Sequence, residues 1–140
     1  MGLAEKVHIF EGTVTQKIKK ILVVEDEKDI LELLLSVFDD SGDYRILSAT
    51  DGEEALRLAR VDNPDIILLD IQLPKVNGYE VCKSVKSDPT MSHAKVLMIS
   101  GMAQNSDWHK AQEVGADGYI IKPFRSIELV EKVEELLRGN

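Results

Sequence analysis

The chain has 140 residues, 44% of them hydrophobic and 30% charged, a balance that belongs to a folded globular domain and not to a disordered or membrane-embedded one. Its formal net charge of -8 repels nucleic-acid phosphates, so direct DNA or RNA binding is not expected. No apolar stretch approaches the roughly 20 residues that span a bilayer, the opening Met1-Gly2-Leu3-Ala4 lacks the apolar core of a signal peptide, and the single Cys82 cannot form an internal disulfide; no membrane association is expected, and a reducing cytoplasm is.

Residues 1–17 stand outside the pattern that organises the rest. His8-Ile9-Phe10 and Thr13-Val14 flank Gly12 and could pair as a short hairpin, but chain ends are loose unless tied down, and this stretch is expected to be a flexible leader ahead of one domain over 18–140. From Lys20 onward, apolar runs and amphipathic stretches alternate five times. A first strand is predicted over 20–25, ending in the carboxylates Glu25-Asp26-Glu27, and a helix over 27–40 follows. A strand over 44–49 and a helix over 52–62 come next. The third strand, 65–70, is Asp65-Ile66-Ile67-Leu68-Leu69-Asp70, and a helix over 78–87 follows it. Val96–Ile99 is apolar at every position within a fourth strand over 95–100, which ends at Ser100 ahead of a helix over 104–114. The fifth strand, 117–121, runs into Lys122-Pro123. The last helix, 125–138, sets Ile127, Val130, Val133, Leu136 and Leu137 against an opposite face of Glu128, Glu131, Lys132 and Glu135, with Ser126 as its expected cap and Gly139 as its stop.

Short strands separated by helices predict right-handed βαβ crossovers, hence an α/β, doubly wound, five-stranded parallel sheet covered on both faces. In such sheets ligands sit outside the carboxyl ends of the strands, where strand order reverses. Carboxylates at the ends of strands one and three, a hydroxyl after strand four and an ammonium after strand five would share that edge. An oxygen-only pocket of this kind suits a hard cation such as Mg²⁺. Each carboxylate pair at 4 Å would repel by on the order of 4 kcal/mol at an effective dielectric near 20, so something positive must compensate, and Mg²⁺ with Lys122 would do so. Asp26 could instead cap the following helix and Asp70 could be an ordinary loop residue. Either alternative suffices alone, but neither explains four strand ends together.

Other residues carry less. His8, His93 and His109 lack metal-ligand spacing and read as solvated. Cys82, beside Val81 and Val85, reads as a small packed residue, and Lys17, Lys19 and Lys20 as a solvated approach to the first strand. Trp108 lies about 60° around its helix from Ala111, which places it at the rim of the inward face. No Gly-rich loop follows the first strand, because Val24-Glu25-Asp26-Glu27 is acidic, and this argues against a nucleotide or flavin site.

Four segments carry a resemblance: Ile21-Leu-Val-Val-Glu-Asp-Glu, Ile67-Leu-Leu-Asp-Ile-Gln-Leu-Pro-Lys-Val-Asn-Gly, Met98-Ile-Ser-Gly and Gly115-Ala-Asp-Gly-Tyr-Ile-Ile-Lys-Pro-Phe. In this order and spacing, the chain over 18–140 resembles the receiver domain of two-component response regulators. The resemblance implies the flavodoxin-like (βα)5 receiver fold with strand order 2-1-3-4-5. It makes Asp70 the phosphoryl acceptor. Asp26 and Asp70 would give carboxylate oxygens to Mg²⁺, Gln72 its backbone carbonyl, and Glu25 would act largely through water. Lys122 would pair with the phosphoryl group, Ser100 would hydrogen-bond one of its oxygens, and Tyr119 would follow the state of that hydroxyl. Backbone N–H groups of Ile71 and Gly101 would help neutralise the transferring group, Gln72 and Met102 would flank the path of hydrolysis, and Lys122-Pro123 would be cis. The implied partners are a histidine kinase or phosphotransfer protein, and a downstream protein docking on the fourth helix, fifth strand and fifth helix. The domain would catalyse only its own phosphorylation and dephosphorylation. With no room for an output domain after the fifth helix, the chain is expected to be a stand-alone regulator or a receiver from a longer protein. Two rivals are an aspartate-nucleophile phosphatase of the haloacid dehalogenase type, which wants a second Asp where Gln72 stands, and a receiver-shaped scaffold that is never phosphorylated.

Overall fold

A computed structural model of the chain describes residues 18–39, 42–101 and 105–139, the side chains of Asn105 and Ser106 excepted. Along them run β1 Lys19–Val24, α1 Lys28–Asp39, β2 Tyr44–Ala49, α2 Gly52–Asp62, β3 Ile66–Asp70, α3 Gly78–Ser87, β4 Lys95–Ser100, α4 Asn105–Glu113, β5 Gly118–Ile121 and α5 Ser126–Arg138. Every strand pairing is parallel and the order is β2-β1-β3-β4-β5, as the resemblance implies. The suggested hairpin around Gly12, the expected helix ends at 40 and 104, and Met102 lie outside the described residues.

Side chains alternate across a strand, and the three central strands use both sets. Leu22, Val24, Ile67, Leu69, Val96 and Met98 belong to a core closed by Ala55 and Ala59 of α2, Val81, Cys82 and Val85 of α3, and Ala111 of α4. Ile21, Val23, Ile66, Leu68, Leu97 and Ile99 belong to the other, closed by Leu34 and Phe38 of α1 and Leu129 and Val133 of α5. Burial on both faces is why these strands are apolar at every position. Each large aliphatic so enclosed contributes about 1.5–3 kcal/mol.

The strands begin one residue later than the patterning predicts at two places, for one physical reason. Asp65 and Asp117 each turn a carboxylate onto the neighbouring strand, accepting from Lys20 N–H at 2.8 Å and Val96 N–H at 2.8 Å. They close the amino edge of the sheet, leaving the carboxyl edge for chemistry. Asp51 caps α2 by accepting from Glu54 N–H at 2.8 Å, and Asn77 caps α3 by accepting from Glu80 N–H at 3.1 Å. The expected cap of α5 is corrected: Ser126 is the first helical residue and Arg125 the cap position, because the Glu128 carboxylate reaches back to accept Arg125 N–H at 2.7 Å. Gly139 closes α5 as expected.

Candidate functional site

The strand order places the ends of β1 and β3 side by side at the point where the chain departs in opposite directions, and β4 follows next to β3. Glu25 and Asp70 therefore converge. Both are buried, at 1% and 5% exposure, as is Ser100 at 1%, whereas Asp26 is exposed. Glu25, Asp26 and Asp70 each offer a carboxylate oxygen, and these oxygens lie within 4.8 Å of one another. Asp26 stands two residues before the first turn of α1, off the cap position, so its alternative role as a helix cap is not the one the fold gives it.

Lys122 reaches over from the end of β5. Its Nζ lies 3.2 Å from Glu25 Oε1 and 3.2 Å from Asp70 Oδ2, bridging the two buried acids. Its own backbone N–H donates to the Ser100 carbonyl at 2.7 Å, which ties the lysine to the end of β4. The Lys122–Pro123 peptide is cis. The remaining oxygens of the buried pair accept backbone donors: Glu27 N–H to Glu25 Oε2 and Gln72 N–H to Asp70 Oδ1, each at 3.1 Å.

One ammonium does not neutralise this cluster. Burial pushes the Glu25 carboxyl up from 4.5 to about 7; the Glu27 N–H opposes the rise, the Asp70 carboxylate adds to it, and Lys122 subtracts a little. On Lys122, burial pushes downward as the largest single influence, but Asp70 and Glu25 together outweigh it and the net shift is upward. A buried pocket of oxygen donors in which a carboxyl resists ionisation, chiefly through burial, fits a small divalent cation.

The sequence reading places the site residues together but misassigns one backbone donor. Ile71 N–H donates to the Ile99 carbonyl at 3.2 Å, continuing the β3–β4 ladder, so it does not face the pocket; the amide that does meet Asp70 belongs to Gln72. Gln72 itself is exposed in the loop after β3, and Gly101 is exposed after β4. Tyr119, half-buried on β5, has its ring 5.5 Å from that of Trp108, which is 37% exposed at the rim of α4.

Sequence reasoning treats Gly78 only as a junction, yet it shapes the site. It opens α3, donates to the Ile71 carbonyl at 2.8 Å, and sits so tightly on the β3 exit that a Cβ would overlap Asp70 O and Ile71 Cα. Gly52 does the same for the other end of that loop, pressing on the backbone of Val76. Lys75, with φ of 68°, fastens the loop further through ion pairs at 3.5 Å to Asp51 and Glu53 at the start of α2. The only advance signal is Asn77-Gly78, a cap followed by a residue without a side chain.

Comparison with known proteins agrees with this geometry. The family model of the response regulator receiver domain matches residues 21–134. The chain is 42% identical over 120 residues to the alkaline phosphatase synthesis transcriptional regulatory protein PhoP of Bacillus subtilis, covering 86% of this chain and 49% of that one. It is 35% identical over 119 residues to the polar-differentiation response regulator DivK of Brucella ovis, covering 85% and 96%. The chain thus spans about half the length of PhoP and of the similar ycf27 regulators. Among solved structures, a putative response regulator from Chloroflexus aurantiacus superposes with TM-score 0.82 at 34% identity, covering 87% of this chain and 99% of that one. The receiver domain of the sensor histidine kinase PA1611 from Pseudomonas aeruginosa, which has a magnesium ion coordinated in its active-site cleft, superposes with TM-score 0.79 at 25% identity over 87% and 98%. Because the matched span runs from β1 into α5 and takes in every strand end that builds the pocket, the chain belongs to the response regulator receiver domains of two-component systems.

Proposed function

We propose that the domain accepts a phosphoryl group from a partner's phosphohistidine onto Asp70, with Mg²⁺, and that the acyl phosphate alters a protein-binding surface. The observation that carries this reading is the Lys122 ammonium bridging Glu25 and Asp70 at 3.2 Å each, two of three clustered carboxylates of which Asp26 is the third. Phosphoryl transfer needs positioning and charge neutralisation more than acid–base groups, and this site is built of charges. One Asp70 oxygen attacks phosphorus, the P–N bond to the histidine breaks, and the electron pair returns to the imidazole. Glu25, Asp26, Asp70 and the Gln72 carbonyl would hold Mg²⁺, which when bound neutralises the transferring oxygens as a Lewis acid. Lys122, already on Asp70 Oδ2, pairs with the phosphoryl oxygens as charge moves onto them, and the Ser100 hydroxyl hydrogen-bonds another. Gln72 N–H holds Asp70 Oδ1 and so fixes which way the carboxylate presents its lone pairs.

The domain turns over no external substrate in this reading. Its partners are a histidine kinase or phosphotransfer protein upstream and a protein target downstream, in the cytoplasm. Among the described residues no helix is long and apolar enough to cross a membrane. The face of α4, β5 and α5 is the proposed output surface, where Trp108 at 37%, Ile121 at 42% and Ile127 at 53% leave large apolar side chains exposed. Draws of Ser100 toward a phosphoryl group would free space for Tyr119 and reshape the surface beside Trp108.

Incubation with acetyl phosphate and Mg²⁺ followed by intact-mass measurement tests the acceptor. The wild type should gain one phosphoryl adduct and Asp70→Asn, an isosteric change that keeps the fold, should gain none. A full adduct on the variant would sink the assignment.

A further inference from the structure

Among the described residues, the buried polar atoms without a hydrogen-bond partner include two that face each other's helices outside the acidic pocket: the Tyr79 hydroxyl in the first turn of α3, and Asp107 Oδ2 in the first turn of α4. Tyr79 is 8% exposed and belongs to the core on that face of the sheet. Lys110, one turn beyond Asp107, sets its Nζ 4.6 Å from the centre of the Tyr79 ring, so this stripe of α4 faces α3. Burial raises the Tyr79 hydroxyl above its ordinary pKa, and the nearby Asp107 charge adds to the rise, which keeps the hydroxyl a proton donor. A buried donor and a buried acceptor left unmade each carry a desolvation penalty that one hydrogen bond between them would remove.

We propose that Tyr79 and Asp107 form a latch between α3 and α4, open in the resting domain and closed, with Tyr79 O–H donating to Asp107 Oδ2, when the acidic pocket is loaded. The inference rests on the phospho-acceptor reading of that pocket. The link between pocket and latch is steric. Gly78, the residue before Tyr79, sits on the backbone of Asp70 and Ile71 with no room for even a Cβ, and its N–H is bonded to the Ile71 carbonyl. A displacement of Asp70 therefore has no slack to absorb it before the first turn of α3 moves. The opposing element is free to answer, because Ala111 is the one buried side chain among the described residues of α4. This gives the acceptor a mechanical route to α4 through α3, in addition to any route along β4 and β5. It also predicts what each helix contributes: α3 the donor and the push, α4 the acceptor and the movement.

A double-mutant cycle on the full chain tests the latch, read by calorimetric titration of beryllofluoride, a phosphoryl mimic, in saturating Mg²⁺. Tyr79→Phe and Asp107→Ala should each weaken beryllofluoride binding by about three- to tenfold, the worth of one hydrogen bond, and the double variant should be no weaker than the singles. In metal-free buffer Tyr79→Phe should melt no lower than the wild type, since its hydroxyl has no bond to lose. Unchanged binding in Tyr79→Phe, or losses that add in the double variant, would overturn the latch. So would a metal-free Tyr79→Phe protein that melts below the wild type, because the hydroxyl would then be bonded at rest. If the wild type itself failed to bind beryllofluoride, the phospho-acceptor reading would fall and the latch with it, a result distinct from a bound wild type with silent variants.

Discussion

Glu25 and Asp70 are two buried acids sharing one ammonium, and the imbalance sets how the metal-free protein responds to pH. Glu25 ionises near 4.5 in an unfolded chain but only near 7 in the fold, mainly because it is buried. Between those values the folded state holds the extra proton, so stability falls as pH rises from about 4.5 to about 7 and levels off above; the shift corresponds to on the order of 3 kcal/mol. In EDTA, the stability difference between wild type and Glu25→Gln should follow that window, with the wild type losing ground as pH rises. Chemical denaturation across the range checks it, and a difference that stays flat would mean Glu25 is ionised throughout. The identities of these residues were legible in the sequence because a parallel sheet sends the carboxyl ends of its strands to one edge, so an acid, a hydroxyl or a lysine just past a strand must meet the others. The backbone donors were not legible. Whether Ile71 or Gln72 offers its N–H depends on how far the β3–β4 ladder runs, and that ladder takes Ile71.

Among elements, the junction of β3 with α3 leaves no room for a side chain at Gly78. Gly78→Ala would force a methyl group into the backbone of Asp70 and Ile71. Overpacking of this kind typically costs about 1–3 kcal/mol, and here the strain falls on the proposed acceptor, Asp70. The variant should therefore lose both denaturation midpoint and rate of phosphorylation by acetyl phosphate; wild-type values for both would show that the loop yields. The order and approximate limits of all ten elements were readable from hydrophobic period and from glycines at the junctions. Their ends shift where a side chain overrides the pattern, as Asp65, Asp117 and Glu128 do by reaching backbone N–H groups that no local period reports. Gly78 was visible only as a turn residue, since the close approach that demands it comes from Asp70 and Ile71 at the exit of β3, on the far side of the intervening loop.

For the molecule as a whole, a net charge of -8 and three clustered carboxylates are the features from which the proposed binding of a divalent cation would stabilise the fold. Binding to the folded state alone stabilises by about 2.7 kcal/mol when Mg²⁺ is at 100 times its dissociation constant. Millimolar Mg²⁺ should raise the melting temperature of the wild type, and Asp26→Ala, which removes an exposed proposed ligand without opening a core cavity, should lose most of that rise. An unchanged melting curve in the wild type would remove the metal from the account. At this scale the two-faced core follows from strands apolar at every position and the strand order from the family resemblance, whereas the packing of α4 against α3 follows from neither, because few apolar side chains of α4 commit it to one seat.

If Asp70 is the acceptor, it becomes an acyl phosphate in a Mg²⁺-dependent step, and chemical trapping locates that phosphate by residue. Borohydride reduces an acyl phosphate to an alcohol, so a phosphorylated Asp is converted to homoserine and can be located by peptide mass spectrometry. After reaction with acetyl phosphate, conversion is expected at Asp70 when Mg²⁺ is present and nowhere when EDTA replaces it. Conversion at Glu25 or Asp26 instead, or none anywhere with Mg²⁺ present, would contradict that assignment.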